Sequence, residues 1–183
     1  MWKTAANHFT FRPAQPGDLE TLRSLMDVSI RVLLRAHLTS EEVEASFAIM
    51  GLDTQLIEDG TYYAVEREGR IAGCGGWSRR ATLFGGDHSA GRDSALLDPQ
   101  TDAARVRAMY THPAFARQGV GRLILGLCEE KAAAEGFKRT ELGATMSGLP
   151  LYKACGYREI ERLSVDTPLG VRVPIVRMGK TIG

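Results

Sequence analysis

Two glycines that open a helix, with arginines close by, are the first residues in this chain whose types and spacing could do chemistry. The stretch is HPAFARQGVGRLILGLCEEKAAAEG, His112 to Gly136. Val120, Leu123, Ile124 and Leu127 recur at i, i+3, i+4 and i+7, one face of a helix, and Gly136 is its stop. Gln118, Gly119, Val120, Gly121 and Arg122 therefore lie at the helix N-terminus. Amides there have no internal partner, and the helix dipole adds partial positive charge. Glycine lets such amides come close to a ligand without a Cβ in the way, and Arg117 and Arg122 add full charges. Two readings fit this pattern: a cradle for phosphate, or a tight turn into a helix. A dinucleotide fingerprint would need a third glycine where Ile124 stands, and a Walker loop would need Gly-Lys-Ser/Thr. Neither is present.

The elements that must position this segment follow from local signals. FTFRP reads as a strand, and Asp18 is placed to cap a helix carrying Leu19, Leu22, Leu25 and Met26. LTSEEVEASFAIMG predicts a second helix, capped by Thr39 or Ser40 and stopped at Gly51. Tyr62–Glu66, a Glu68-Gly69 turn and Ile71–Trp77 predict a hairpin whose returning strand is unusually rich in glycine, the mark of a bulge or close backbone packing. Arg79–Arg105 has no clear period and is expected to be a long loop. RVRAMYTHP resumes a strand, the glycine-led helix follows, and FKRTELGAT is a further strand. SGLPLYKACGY is a short helix, and REIERLSVD with VRVPIVRMGK closes the chain as a hairpin, Pro174 marking an edge or a bulge. Strands that alternate with helices but also form hairpins predict an α/β (α+β) fold with a mixed sheet.

Composition bounds the function. The 183 residues suit one domain, expected to span 1–183; 44% hydrophobic and 25% charged residues are those of a folded globular chain. A net charge of +1 gives no general attraction to nucleic acid or an anionic membrane, so any anion site must be local. The three cysteines, Cys74, Cys128 and Cys155, form no close pair, which argues against a disulfide framework or a zinc site and for a reducing, cytoplasmic setting. The sequence contains no signal peptide core and no run of 18 apolar residues, and the scattered arginines form no aromatic-basic stripe. No metal, nucleic acid or membrane partner is expected, and a homodimer is an open option.

HPAFARQGVGRLIL followed by LPLYKACGYREIER resembles the GNAT superfamily of acetyl-CoA-dependent N-acetyltransferases. The match runs from about Val106 to Tyr157, and the order of elements from Phe9 to Met178 agrees with that fold. The family's Gln/Arg-x-x-Gly-x-Gly/Ala motif begins here on Ala116, with Arg117 one place later. Thr145 and Gly148 stand where the family often has Asn and Ala. The resemblance implies a central, mostly antiparallel sheet between helical layers. It implies that the amides of Gln118–Arg122, aided by Arg117, hold the pyrophosphate of acetyl-CoA. It also implies that the backbone of Met109, Tyr110 and Thr111 pairs with the pantetheine like an added strand, an amide near Met109 or Tyr110 serving the oxyanion.

Acetyl transfer to an amine also needs a proton for the leaving thiolate and a place for the amine's proton. Tyr152 matches the family's tyrosine, the general acid. Some relatives carry a glutamate base on the central strand, where RVRAMYT has no carboxylate. Glu141 on the next strand is the candidate base, with His112, His88, Asp87 and water as others. Cys155 reads as a packed thiol rather than a nucleophile. The expected function is direct acetyl transfer to a primary amine, on a small molecule or a peptide, in a ternary complex. The alternative is a non-catalytic acyl-CoA-binding module. Trp77 and an insertion at 79–104, including FGGDH and Arg79-Arg80, are expected on the acceptor side.

Overall fold

In a computed structural model that describes residues 8–183, seven strands form one sheet in the order β1-β2-β3-β4-β5-β7-β6. The strands are β1 Thr10–Pro13, β2 Tyr62–Arg67, β3 Arg70–Ser78, β4 Ala104–Thr111, β5 Arg139–Ala144, β6 Arg158–Asp166 and β7 Arg172–Thr181. The helices are α1 Leu19–Leu33, α2 Ser40–Ser46, α3 Thr54–Glu58, α4 Val120–Ala134 and α5 Leu149–Ala154. Every neighbouring pair is antiparallel except β4 and β5. Helices cover both faces. Val120, Ile124 and Leu127 of α4 meet Val65, Val106 and Leu142, while Leu22, Leu25 and Ile30 of α1 pack on Tyr62, Cys74 and Tyr110. The mixed α/β architecture expected from the sequence is the one found.

Local signals explain most of the elements. Glu68 and Gly69 both have positive φ, 53° and 74°, the geometry of a two-residue hairpin whose twist matches its strands. Thr39 caps α2, accepting from the Glu42 amide at 3.2 Å while the Glu42 carboxylate returns to the Thr39 amide at 2.8 Å. The β3 glycines are a packing device: a Cβ on Gly75 would lie 2.7 Å from Ile124 of α4 and 2.8 Å from Met109. The sheet and α4 therefore approach closely only because that side chain is absent.

Four expectations are corrected. Asp18 does not cap α1 with its side chain; it accepts from the Gln15 amide at 2.8 Å and holds Arg12. The second helix ends at Ser46 rather than at Gly51, because the following amides tighten to partners three residues back. The 79–105 segment is not structureless: Leu97, Ala81 and Thr82 amides bond to Arg79, Ala95 and Asp93 carbonyls at 2.8–2.9 Å, so the chain doubles back on itself. Pro174 lies in an interior strand, yet past the Ala144–Val176 pair that ends the β5 ladder, where no β5 partner awaits its missing N–H.

Candidate active site

The site grows from the one parallel pair. β4 and β5 are in register only at Ala104–Thr140 and Arg105–Glu141. Beyond these residues they part, and β4 continues to Thr111 with its β5-facing edge open. β4 is also bulged: between Gly76–Arg107 and Cys74–Tyr110 it carries one residue more than β3. Ala108 takes φ 49° there, and its carbonyl accepts from the buried Tyr62 hydroxyl at 2.7 Å. The divergence opens a cleft through the sheet. One chamber, walled by α1 as well as by α4 and α5, is lined by Ile30, Met109–Thr111, Gly121, Leu151 and Tyr152. The other is lined by Met50, Phe84, Gly85, Arg107 and Gly143. Met50, Met109, Tyr110, Thr145 and Tyr152 belong to both.

The start of α4 adjoins the first chamber through Gly121. Gly119 is its N-cap, with φ 91° and no side-chain cap, so the first-turn amides are left open. A Cβ on Gly119 would meet nothing within 4 Å, so conformation selects this glycine. Gly121 has another cause: a Cβ there would fall 2.6 Å from Leu151 Cδ2 of α5. Arg117, itself at φ 64°, and Arg122 are both exposed, and neither enters an ion pair among the described residues. The Gln118 side chain is engaged in structure: its Oε1 accepts from Arg67 at 2.8 Å and its Nε2 donates to the Ala114 carbonyl at 3.1 Å. Only its backbone is free for a ligand.

Tyr152, on α5 behind Pro150 and 8% exposed, lines the same chamber. Its hydroxyl points to β4 and donates to Met109 Sδ at 3.7 Å, a weak thioether acceptor. Burial raises the phenol's pKa above its usual value, so the group is protonated throughout the neutral range. Gly148 makes room for the ring, since a Cβ there would lie 2.8 Å from Tyr152 Cε2. The Tyr110 hydroxyl is turned away; it accepts from the Gly51 amide at 2.9 Å and anchors the chain after α2.

Glu141 is not brought to this hydroxyl. Its carboxylate accepts from Arg105 at 2.8 Å and from Arg177 Nε at 2.9 Å. Its register partner is Arg105, four residues before Met109 on β4, which is about 13 Å along a strand. His112 Nδ1 accepts from the Ala114 amide at 3.1 Å and closes the turn before the glycine segment. Asp87 is exposed and accepts from the Thr54 amide, while His88 meets the Phe47 carbonyl at 2.6 Å. Arg79 and Arg80 pair with Glu135 and Asp59. Trp77, expected beside an acceptor, is 1% exposed and packs against Phe137 beneath α4. Of the FGGDH cluster, Phe84 and Gly85 line the second chamber.

One constellation was not anticipated. Arg107, buried on β4, is held by Asp53 Oδ2 at 2.7 Å and by the Gly85 carbonyl at 2.5 Å. Arg92 reaches the other oxygen of the same buried Asp53 at 3.0 Å. Two arginines thus share one carboxylate, and the tip of the 79–97 excursion is pinned to β4 and α3. The sequence did carry a signal: Arg105 and Arg107 alternate with apolar residues in ARVRAMYT, so both face one side of a central strand.

The chain matches the Acetyltransferase (GNAT) family over residues 29–157. It belongs to that family. As a GNAT chain it is an acyltransferase, of a family that uses acetyl-CoA. Solved structures of similar fold include a GCN5-related N-acetyltransferase from Rhodopseudomonas palustris, 18% identical, with TM-score 0.72, covering 99% of this chain and 100% of that one. The PaiA N-acetyltransferase from Thermoplasma acidophilum, in complex with coenzyme A, is 13% identical with TM-score 0.63, covering 95% and 99%. A ribosomal-protein-alanine N-acetyltransferase from Brucella melitensis is 17% identical with TM-score 0.64, covering 94% and 99%. No curated protein matches the chain in sequence. Among the described residues there is no group of three or more His, Cys, Asp or Glu that could hold a metal, and no helix long and apolar enough to cross a membrane.

Proposed function

We propose that this GNAT protein transfers acetyl from acetyl-CoA to a primary amine, of a small molecule or a peptide, by direct attack in a ternary complex. The observation that carries the reading is the pairing of an uncapped helix start and a buried phenol along one cleft. The residues present suit acetyl-CoA. The amides of Gln118–Arg122, with Arg117 and Arg122, would hold its pyrophosphate. The backbone of Met109, Tyr110 and Thr111, on the strand edge that β5 leaves open, would pair with its pantetheine. When bound, it supplies an acetyl group on a good thiol leaving group.

Each chemical task then falls to a named atom. An amide near Met109 or Tyr110 faces the developing oxyanion. Tyr152 Oη holds a proton for the departing sulfur, for which the Met109 thioether now stands as acceptor. Neither chamber is lined by a carboxylate or an imidazole among the described residues, so the amine's proton leaves to water. Glu141, tied to two arginines, stabilises the sheet rather than acting as the base. Residues 1–183 act as one domain in this reading, and the 79–104 segment walls the acceptor side through Phe84 and Gly85. A non-catalytic module gives no reason for a buried phenol to rest on a weak thioether acceptor.

Calorimetric titration with acetyl-CoA, with CoA and NAD as comparators, tests the donor site. The expected result is acetyl-CoA binding with Kd on the order of micromolar and no binding of NAD. Absence of acetyl-CoA binding would return the glycine segment to a plain helix start.

A further inference from the structure

Beside the acceptor-side chamber lies an unbalanced charge that the acetyl-transfer reading does not use. Arg107 lines it and is 3% exposed. Its Nη atoms are occupied by Asp53, Gly85 and Thr82, but its buried Nε has no hydrogen-bond partner. A buried donor left unmatched is uncommon in a folded chain and calls for an explanation. The charges around it do not cancel. Arg107 and Arg92 share the single carboxylate of Asp53, and all three line a neighbouring cavity, Arg107 alone reaching the chamber. Two residues back on the same face of β4, Arg105 shares Glu141 with Arg177, so a second trio also carries one surplus positive charge. The other charged pair at this end, Arg80 with Asp59, is balanced, and Asp87 at the outer rim is exposed.

We infer, resting on the acetyl-transfer reading, that the acceptor is an amine that also bears a carboxylate, recognised by the unpaired Nε of Arg107 in the surplus positive field of the Arg92–Asp53–Arg107 trio. A cationic chamber without an acidic residue repels a second ammonium group, which disfavours diamines and polyamines. The same field favours loss of the reacting amine's proton, in a chamber that provides no base. The carboxylate takes the orphaned donor and supplies the missing negative charge.

The test uses the full-length protein and acceptors matched in size: β-alanine and 4-aminobutyrate, their carboxamides, and 1,4-diaminobutane. Thiol release from acetyl-CoA gives kcat/KM, and calorimetry with saturating CoA gives acceptor affinity without turnover. The expected result is a preference of about tenfold or more for the carboxylates over the carboxamides, in both readouts, with the diamine poorest. Arg92→Gln, which leaves the Arg107–Asp53 pair intact, should narrow that ratio by raising KM for the carboxylates and not for the carboxamides. Equal or better use of the carboxamides or the diamine would overturn the inference. So would failure of both carboxylates to bind a protein that binds CoA, which would leave the donor reading standing. Failure of acetyl-CoA itself to bind would strike the donor reading instead, and acceptor binding without CoA would still decide the charge preference.

Discussion

Tyr152→Phe separates chemistry from folding in this protein. The hydroxyl has a thioether acceptor at 3.7 Å, a contact weaker than an ordinary hydrogen bond. Replacing it removes a poorly matched buried polar group and keeps the ring that packs against Tyr157, with centroids 6.0 Å apart. The change in stability is therefore expected to lie within about 1 kcal/mol of zero, in either direction. The loss in turnover can be bounded from the proton's destination. A thiol has pKa near 8.5 and a free phenol about 10, and burial raises Tyr152 further. Full proton transfer to a thiolate is thus uphill by at least about 2 kcal/mol, so much of the benefit comes from the hydrogen bond to sulfur. That places the effect toward the low end of general-acid catalysis, roughly tenfold to a thousandfold in kcat, or about 1.4–4 kcal/mol in the barrier. The assay is thiol release at saturating acetyl-CoA, alongside a melting curve and a calorimetric Kd. Unchanged kcat would refute the acid role. A collapse in Tm would refute the packing argument and make the kinetic loss uninformative.

Further outcomes follow from the same geometry. Gly119→Glu puts a carboxylate at an open, positive helix start and forces φ 91° on a residue that disfavours it, so acetyl-CoA affinity should fall at least about tenfold, and more than in Gly119→Ala; calorimetry reads both. Glu141→Gln leaves two arginines without their shared carboxylate and should cost about 3 kcal/mol, a Tm drop of roughly 10 °C by calorimetric scan. It should spare turnover per folded molecule; a kcat loss of about 10²-fold would make Glu141 the base after all. Burial raises the phenol pKa of all five tyrosines, Tyr62, Tyr63, Tyr110, Tyr152 and Tyr157. Folded values above the unfolded value mean that this stabilisation is complete below about pH 10 and lost as pH rises through the folded values. Phenolate absorbance should therefore appear together with loss of the far-UV dichroism, whereas a smooth titration near pH 10 in a folded chain would contradict the burial.

What could be read from the sequence was what neighbouring residues decide. The i, i+3, i+4, i+7 face of α4, the Glu68-Gly69 turn and the Thr39 cap act over a few residues, and each is found as expected. Trp77 was misplaced because an aromatic next to a long loop looks like a binding residue, while its burial depends on Phe137, which only the fold brings near. Glu141 looked available because its two arginines come from other strands, one on each side. The converse holds for Arg107: its alternation onto one face is visible, but Asp53, at the start of α3, and Arg92, in the 79–97 excursion, make it a charged centre and are brought there by segments whose paths no local pattern dictates.

Gly121 has a mechanical consequence. Because no side chain stands there, the first turn of α4 rests directly on Leu151, the residue beside Tyr152. In the proposed reading, the amides that would hold the donor's pyrophosphate and the phenol that would give up the proton thus share one joint. On that reading the protein would act as a caliper whose two jaws meet through this one contact. A donor molecule would then be gauged by its length as well as by its chemistry, and a carrier too short to reach from one jaw to the other would engage only one of them.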